Sequence, residues 1–374
     1  MVKLKRGFFM SLFICTNLVV ILAYLVTCLI PFINTGKYWM LAFPGLVFPL
    51  VLAALVGFVI LWIFFRSRLA WLNLAVLLLG YQQITTVFAF NTKQVFDSYK
   101  NPGSLRVMQW NASNWDEQKA RNREATAYTK KMFQLIKNEN PDILCVEEYF
   151  DSYTAADYAP NAKTLESFGF RHHYFVPTVS YTDDFKSGIA IFSKFPIIDS
   201  ANHAFGGGRV TEHVIYTDIK AGKDTFRIFA THLQSVQFMP EDYRSLSRIK
   251  HAEKPSLHGS KTIVSKLKRG YQLRYEQAMI VSDQLRASPY PAIICGDFND
   301  VPNSSTYFKI KGDFQDAFLQ KGRGIGRTFL YISPTLRIDY ILTSKAFEVE
   351  QFGIRHVPYS VHYPLITDLF YRPG

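Results

Sequence analysis

Three stretches near the N-terminus contain no charged side chain: Phe8–Ile30, Tyr38–Phe65 and Leu69–Thr92, of 23, 28 and 24 residues. Nothing else in the chain limits its fold as strongly. A helix crossing a bilayer needs about 20 mainly apolar residues. A cleaved export signal has one short apolar core, not three long ones. The sequence therefore predicts a membrane anchor over residues 1–95, with a bundle of about three transmembrane helices at roughly 8–30, 38–65 and 69–92. The third run is the most diluted, by Gln82, Gln83, Thr85 and Thr86. None of the three carries Asp, Glu, Lys, Arg or His, which argues against a transporter, whose pathway needs such groups.

Basic residues orient the anchor. Lys3, Lys5 and Arg6 precede the first run, Arg66 and Arg68 separate the second and third, and Lys37 alone lies between the first and second. The excess of cations on cytoplasmic loops then places the N-terminus inside. With three crossings, the remainder of the chain is expected outside the cytoplasm, on a multi-pass inner or plasma membrane protein. If the third run lay only at the interface, that remainder would be cytoplasmic.

Composition changes sharply after this. The whole chain of 374 residues carries a formal charge of +12, but residues 101–374 carry only +5 and have the mix of a soluble domain. Short apolar runs predict strands at Leu105–Trp110, Asp142–Val146, His173–Val176, Gly188–Ser193, Val214–Ile219, Phe226–Thr231, Ala292–Cys295, Asp339–Leu342 and Ile366–Phe370. Helical spacing predicts two helices, over about 118–139 and 270–287, each followed by a proline. Most of these strands are apolar on both sides, so their sheets must be covered. Two packed sheets with helices outside satisfy that. Cys145 and Cys295 lie within apolar runs and fit small core residues better than a disulfide.

A polar segment, Glu241–Arg274, holds nine basic and three acidic residues. It is either a solvated loop or a basic flap, an insertion at about 241–270, that meets phosphate or anionic lipid through Lys266, Lys268 and Arg269.

Several predicted strands end in polar groups: Asn111, Glu147 and Glu148, His232, then Asp297, Asn299 and Asp300 in "ICGDFND", Asp339 in "RIDYIL", and His362 in "SVHYPL". Each alone has an ordinary explanation, such as an Asx turn or a rim histidine. Together they gather oxygen donors and two imidazoles at one sheet edge, which suits a hard divalent cation and proton transfer. No Cys/His zinc spacing competes with this.

These motifs, with "LRVMQWNAS", "PDILCVEE", "SGIAIFSKFPI" and "THLQS", run in the order of the endonuclease/exonuclease/phosphatase superfamily, the DNase I-like fold. The chain resembles that family over about residues 103–374. The resemblance implies an α/β (α+β) four-layer sandwich and a catalytic domain over 101–374 that hydrolyses phosphoesters. It implies Mg²⁺, with Mn²⁺ as a substitute, near Glu148, Asn111 and Asp297, with Glu147 standing where the family has Gln. Asp297 and Asn299 would position water and the phosphoryl oxygen. His232 would contact the phosphate or assist the leaving group, and Asp339 and His362 would form a dyad. The implied substrate is a phosphodiester (nucleic acid, or a phospholipid or sphingolipid headgroup) or a phosphomonoester; beyond the lipid bilayer, no protein partner is implied. One position departs from the pattern: Val361 replaces the Asp that normally precedes the last histidine. The alternative implied by that loss is an inactive descendant, a membrane-bound binding module.

Overall fold

A computed structural model describes residues 2–65, 67–92, 95–117, 128–152, 160–181, 184–206, 211–250 and 257–372. Arg66, Lys254 and the first part of the helix expected at 118–139 lie outside these residues, as do the side chains of Lys3, Lys5 and Arg6.

The N-terminal region is helical. Helix α1 (Val2–Leu29) is followed by a 3-10 turn, Trp39–Ala42, and by α2 (Phe43–Leu46), α3 (Phe48–Phe64), α4 (Leu69–Leu79) and α5 (Tyr81–Val87). This corrects the expectation of three uninterrupted spans. One helix, Phe8–Phe32, is long and apolar enough to cross a membrane. The second run bends by 61° between Trp39–Leu46 and Phe48–Phe64, and Leu69–Leu79 is a shorter apolar helix. The third run breaks at Gly80, where Tyr24 of α1 leaves room for glycine alone. A Cβ at Gly80 would lie 2.0 Å from the Tyr24 hydroxyl, and that hydroxyl donates to the Leu77 carbonyl at 3.3 Å.

A buried polar clamp ties these helices together. Asn17 Nδ2 donates to Asn73 Oδ1 at 2.8 Å, and Trp62 Nε1 donates to Asn17 Oδ1 at 2.9 Å. Helices α1, α3 and α4 thus share one hydrogen-bonded knot, the kind of contact that fixes helix pairs in apolar surroundings.

The rest of the chain builds two six-stranded sheets. In chain order the strands are β1 (Ala89–Phe90), β2 (Leu105–Asn111), β3 (Ile143–Ser152), β4 (His172–Ser180), β5 (Phe185–Ser193), β6 (Ile197–Ala204) and β7 (His213–Ala221). They continue as β8 (Asp224–His232), β9 (Ala292–Asp297), β10 (Gln315–Asp316), β11 (Arg323–Gly324), β12 (Asp339–Thr343), β13 (Phe347–Ile354) and β14 (Leu365–Tyr371). One sheet runs β13-β14-β2-β3-β5-β4 and the other β10-β12-β9-β8-β7-β6. Each is mixed: β2 pairs parallel with β3, and β8 parallel with β9.

Alternation along the strands explains the layering. Val107, Ile143 and Cys145 face a core shared with Ile228, Ile293 and Cys295 of the other sheet. Their neighbours Met108, Trp110, Leu144 and Val146 face the opposite way, onto Met132, Phe133 and Ile136 of the helix Thr129–Glu139. On the other sheet, Phe229, Ile294 and Tyr340 pack against Ala278, Val281 and Leu285 of the helix Leu257–Arg286. Period-two strands buried on both faces produce the four layers. All four cysteines are free, and Cys145 and Cys295 are buried between the sheets.

The described residues of the polar segment before Arg274 are helical. Pro240–Lys250 is helical, and the next helix begins at Leu257, well before the expected start near 270.

The helical region docks on the sandwich at particular points. The Thr35 and Ser305 hydroxyls hydrogen-bond. A Cβ at Gly45 would lie 2.2 Å from the Asn303 carbonyl, so only glycine permits that approach. Phe43 meets Tyr271 edge-on at 5.8 Å, and β1 pairs with β11. Arg337 Nη2 donates to the Thr86 carbonyl at 2.8 Å. These contacts involve the C-terminal side of α1, the segment before α3 and the end of α5, all at one end of the helical region.

Candidate active site

Site residues gather because adjacent strands end at the same level. His232 closes β8, Asp297 closes β9 and Asp339 opens β12, and the register pairs His232 with Asp297 and Asp297 with Asp339. On the other sheet Asn111 ends β2 opposite Glu147.

Glu148 reaches the rim through a break in register. Pairing of β3 with β5 shifts between Val146 and Tyr149, and Glu148 itself has φ 47°. Such bulges re-aim side chains at sheet edges, and a non-glycine residue in this region is uncommon enough to mark a functional constraint. Glu148 is half-buried, while Glu147 is fully buried. The Asn111 amide joins the two sheets here: its Nδ2 donates to Glu148 Oε1 at 3.3 Å and to Asp297 Oδ2 at 3.1 Å.

Carboxylates and imidazoles alternate through the centre. Asp339 Oδ2 lies 3.0 Å from His362 Nδ1. His362 Nε2 lies 3.6 Å from Asp297 Oδ2, and His232 Nε2 lies 3.7 Å from the same oxygen. His232 Nδ1 then meets Glu212 Oε2 at 3.2 Å. The row is Asp339, His362, Asp297, His232, Glu212. Its outer contacts have hydrogen-bond length, and the two inner ones exceed it, so Asp297 holds both rings by charge.

Burial pushes the Asp297 carboxyl up to about 6, assisted by Asp339 and opposed by His362. Burial works against a charged His362 ring, but Asp339 and Asp297 outweigh it and move that pKa up to about 9. Burial likewise opposes charge on His232, and Glu212 and Asp297 overcome it, so its pKa is raised well above the usual imidazole value. His362 is therefore protonated at neutral pH, and the carboxylates beside His232 favour its charged form.

Glu147 behaves differently. Burial, then the nearby Asp339 charge, raise its pKa well above the carboxylate range. Gln109 Nε2 donates to Glu147 Oε2 at 2.7 Å and reaches Asp339 Oδ1 at 3.3 Å. Burial and the Asp339 charge both favour the neutral form of the Glu147 carboxyl.

Asn299 has φ 52°, and its backbone N–H donates to Asp297 Oδ1 at 2.8 Å. Its Nδ2 donates to the Leu233 carbonyl at 2.9 Å. That turn orients Asp297. Asp300 anchors it further, accepting from Thr306 Oγ1 at 2.8 Å and pairing with buried Arg274 at 3.3 Å.

The structure thus brings together Asn111, Glu148, His232, Asp297, Asn299, Asp339 and His362. It does not bring Lys266 or Lys268 to them. Lys266 Nζ lies 2.5 Å from Asp242 and 3.0 Å from the Gln237 carbonyl, and Lys268 sits over the Trp39 ring at 5.7 Å. Arg269 shares their helix. Among the described residues, Asp297, Asp339 and His362 form the one group of three acid and imidazole ligands within 4.8 Å of one another. That group is itself hydrogen-bonded through the dyad, whereas the Glu148 and Asp297 carboxylates, bridged by Asn111 Nδ2, match a hard cation better. Glu212 and Gln109 were missed by the sequence reasoning. The only signal for Glu212 is a charged pair, Glu212-His213, just ahead of an apolar strand.

The sequence model of the Endonuclease/Exonuclease/phosphatase family matches residues 108–358. A second, Domain of unknown function (DUF8431), matches residues 10–87. No curated protein matches the chain. Among solved structures, an endonuclease/exonuclease/phosphatase from Beutenbergia cavernae is 20% identical, with a TM-score of 0.53 and 72% of each chain covered. The human Nocturnin catalytic domain, solved with bound sulfate, is 21% identical, TM-score 0.49, covering 72% of this chain and 94% of that one. A Bacteroides thetaiotaomicron mannosyl-6-phosphatase is 17% identical, TM-score 0.47, covering 72% of this chain and 100% of that one. With the family match spanning more than half of its length, the chain belongs to the endonuclease/exonuclease/phosphatase family, whose members are phosphoric ester hydrolases.

Proposed function

We propose that this chain is a membrane-anchored phosphoesterase dependent on a divalent cation, with residues 1–95 as anchor and 101–374 as catalytic domain. The observation that carries this reading is the row of alternating carboxylates and imidazoles centred on Asp297, joined by the Asn111 amide to Glu148.

The donor set fits a hard cation. Glu148 and Asp297 offer carboxylate oxygens and no sulfur, as Mg²⁺ or Mn²⁺ prefers, and the Asn111 amide holds both through Nδ2. When bound, such an ion would neutralise phosphoryl charge and support the leaving oxygen. The protein's own groups do the rest. Protonated His232, steadied by Glu212, donates to a phosphoryl oxygen or to the departing oxygen. Asp297, ionised above about pH 6, accepts the proton of an attacking water. His362, oriented through Nδ1 by Asp339, presents Nε2–H beside Asp297 and holds that carboxylate in place. The Asn299 amide turn fixes the carboxylate from the other side.

The docking bears on topology. The sandwich contacts the end of the helical region at Thr35, Gly45 and Thr86, on the C-terminal side of α1, while Arg68 lies beyond the other end of α3. With α1 crossing the membrane from a cytoplasmic N-terminus, this supports a catalytic domain outside the cytoplasm.

The test uses the full chain in detergent with methyl p-nitrophenyl phosphate. Turnover with Mg²⁺ or Mn²⁺ that is abolished by EDTA and by Asp297→Asn is expected. Turnover surviving EDTA, or inertness of the folded protein with either ion, would reject the reading and favour a binding module.

A further inference from the structure

A row of aromatic rings leads away from His362. Phe329 meets the His362 ring at 5.0 Å, Tyr331 meets Phe329 at 6.0 Å, Tyr243 meets Tyr331 at 6.1 Å, and Phe238 meets Tyr243 at 5.8 Å, all at steep interplanar angles. The inner end is packed. The outer end is open: Tyr331 is 54% exposed, Met239 56% and Ile332 44%. Large apolar side chains grouped at the surface mark interaction sites. Ile332 also has φ 68°, a conformation that a β-branched residue seldom adopts.

This wall lies next to the anchor. Within six residues of the Leu257–Arg286 helix, Lys266 bonds the Gln237 carbonyl and Asp242 on the wall's side. Lys268 covers Trp39, and Tyr271 packs on Phe43 in the anchor segment. That segment exposes Tyr38 at 52% and the apolar Met40 at 67%, and a tyrosine is the kind of amphipathic residue that sits at headgroup level. The wall and the anchor's interfacial segment therefore flank one short piece of helix.

We propose that Phe329, Tyr331, Tyr243 and Phe238 bind the apolar part of a lipid-linked phosphoester taken from the bilayer that holds the anchor, so that its phosphate reaches the Asp297 row. The proposal rests on the phosphoesterase reading above and names its substrate class. A single-stranded nucleic acid also stacks on aromatic rings, but it needs free cations along its backbone. Here Lys266 is neutralised by Asp242, and the Arg327 guanidinium beside the wall is turned onto the Phe329 and Leu330 carbonyls.

The experiment uses the full chain in phospholipid vesicles of phosphatidylethanolamine and phosphatidylglycerol with Mg²⁺. Headgroup release is measured beside hydrolysis of methyl p-nitrophenyl phosphate and of a single-stranded oligonucleotide. The double variant Tyr243→Ser/Tyr331→Ser is expected to lower the ratio of lipid to soluble-ester kcat/KM by about tenfold or more. Tyr243→Phe/Tyr331→Phe, which keeps the rings, is expected to retain it. An unchanged ratio overturns the proposal. So does a wild-type protein that splits the soluble ester but releases no headgroup, or one for which the oligonucleotide is the wall-dependent substrate; in each case the phosphoesterase reading stands. Failure to split even the soluble ester removes that reading and this one with it.

Discussion

Glu212→Gln isolates what a carboxylate contributes to His232. The two groups are 3.2 Å apart and both are buried. Two unit charges at that distance attract by about 5 kcal/mol at an effective dielectric of about 20, which is a ceiling. The amide keeps the shape and can still accept from Nδ1–H, so part of the contact survives. Hydrogen bonds to charged groups contribute about 1.5–3 kcal/mol against about 0.5–1.5 for neutral ones. The difference, about 1–2 kcal/mol, corresponds to a fall of about one unit in the His232 pKa. With Glu212 present that pKa is raised; the variant must therefore lose the protonated ring at lower pH. If the protonated ring serves turnover, the alkaline limb of the kcat profile moves down by about one unit as well. The assay pairs that profile with NMR titration of nitrogen-labelled histidine in the full chain. A His232 pKa that stays in place or rises would refute the reasoning, whatever happens to stability.

Asp297 titrates near 6 without metal, so a proton competes with the cation below that pH. The apparent Kd for Mn²⁺ by calorimetry should rise about tenfold per unit of pH lowered below about 6, and a flat Kd from pH 5 to 8 would exclude Asp297 as a ligand. Val361→Asp adds an anion between Ser360, whose hydroxyl bonds the Asn111 carbonyl at 2.7 Å, and His362; the Mg²⁺ concentration for half activity should fall, and an equal or higher value in a folded variant would show that residue 361 points away from the cation. Arg337→Met leaves Asp316, paired at 2.6 Å and 1% exposed at its side chain, with the Tyr307 hydroxyl and Phe318 N–H but no cationic partner, and frees the Thr86 carbonyl. A loss of about 3–5 kcal/mol in unfolding free energy is expected, and a loss below about 1 kcal/mol would mean the anchor does not lean on this contact.

Much of the sandwich is legible in the sequence because buried strands carry a local signature. All nine predicted strands are present, since each is apolar enough to stand out. Strands β6, with "IIDSANHA", and β13, with "FEVEQFGI", were passed over. The first lies at the edge of its sheet and is half-exposed, so it needs no apolar run. The helix beginning at Leu257 was placed too late because its first turns contain Gly259, Gly270 and many polar groups, and only its later turns pack on Ala278, Val281 and Leu285 against the sheet. At the break in the third run, Gly80 lies against Tyr24 of α1, a tertiary contact that no local pattern records.

The site shows the same division at finer scale. Residues that end strands, Asn111, His232, Asp297 and Asp339, could be found because apolar runs point to their own termini. Glu212 lies just ahead of its strand, and its importance comes from being 3.2 Å from His232 across the sheet. Gln109 lies inside a strand and matters because it reaches both Glu147 and Asp339. Arg274 counted in the sequence as one of many cations on a basic stretch. Folded, its guanidinium is buried, paired with Asp300 and bonded to the Gln234 carbonyl at 3.1 Å. It thereby ties the turn after Asp297 to the segment after His232. The Arg337 guanidinium, two residues from Asp339, holds the end of α5. Two buried cations thus link the catalytic strand ends to the helices behind them, and one of those links crosses into the anchor. The proposed site and the proposed anchor therefore share structural supports in this chain, and the proposed activity is properly assayed with the helical region present.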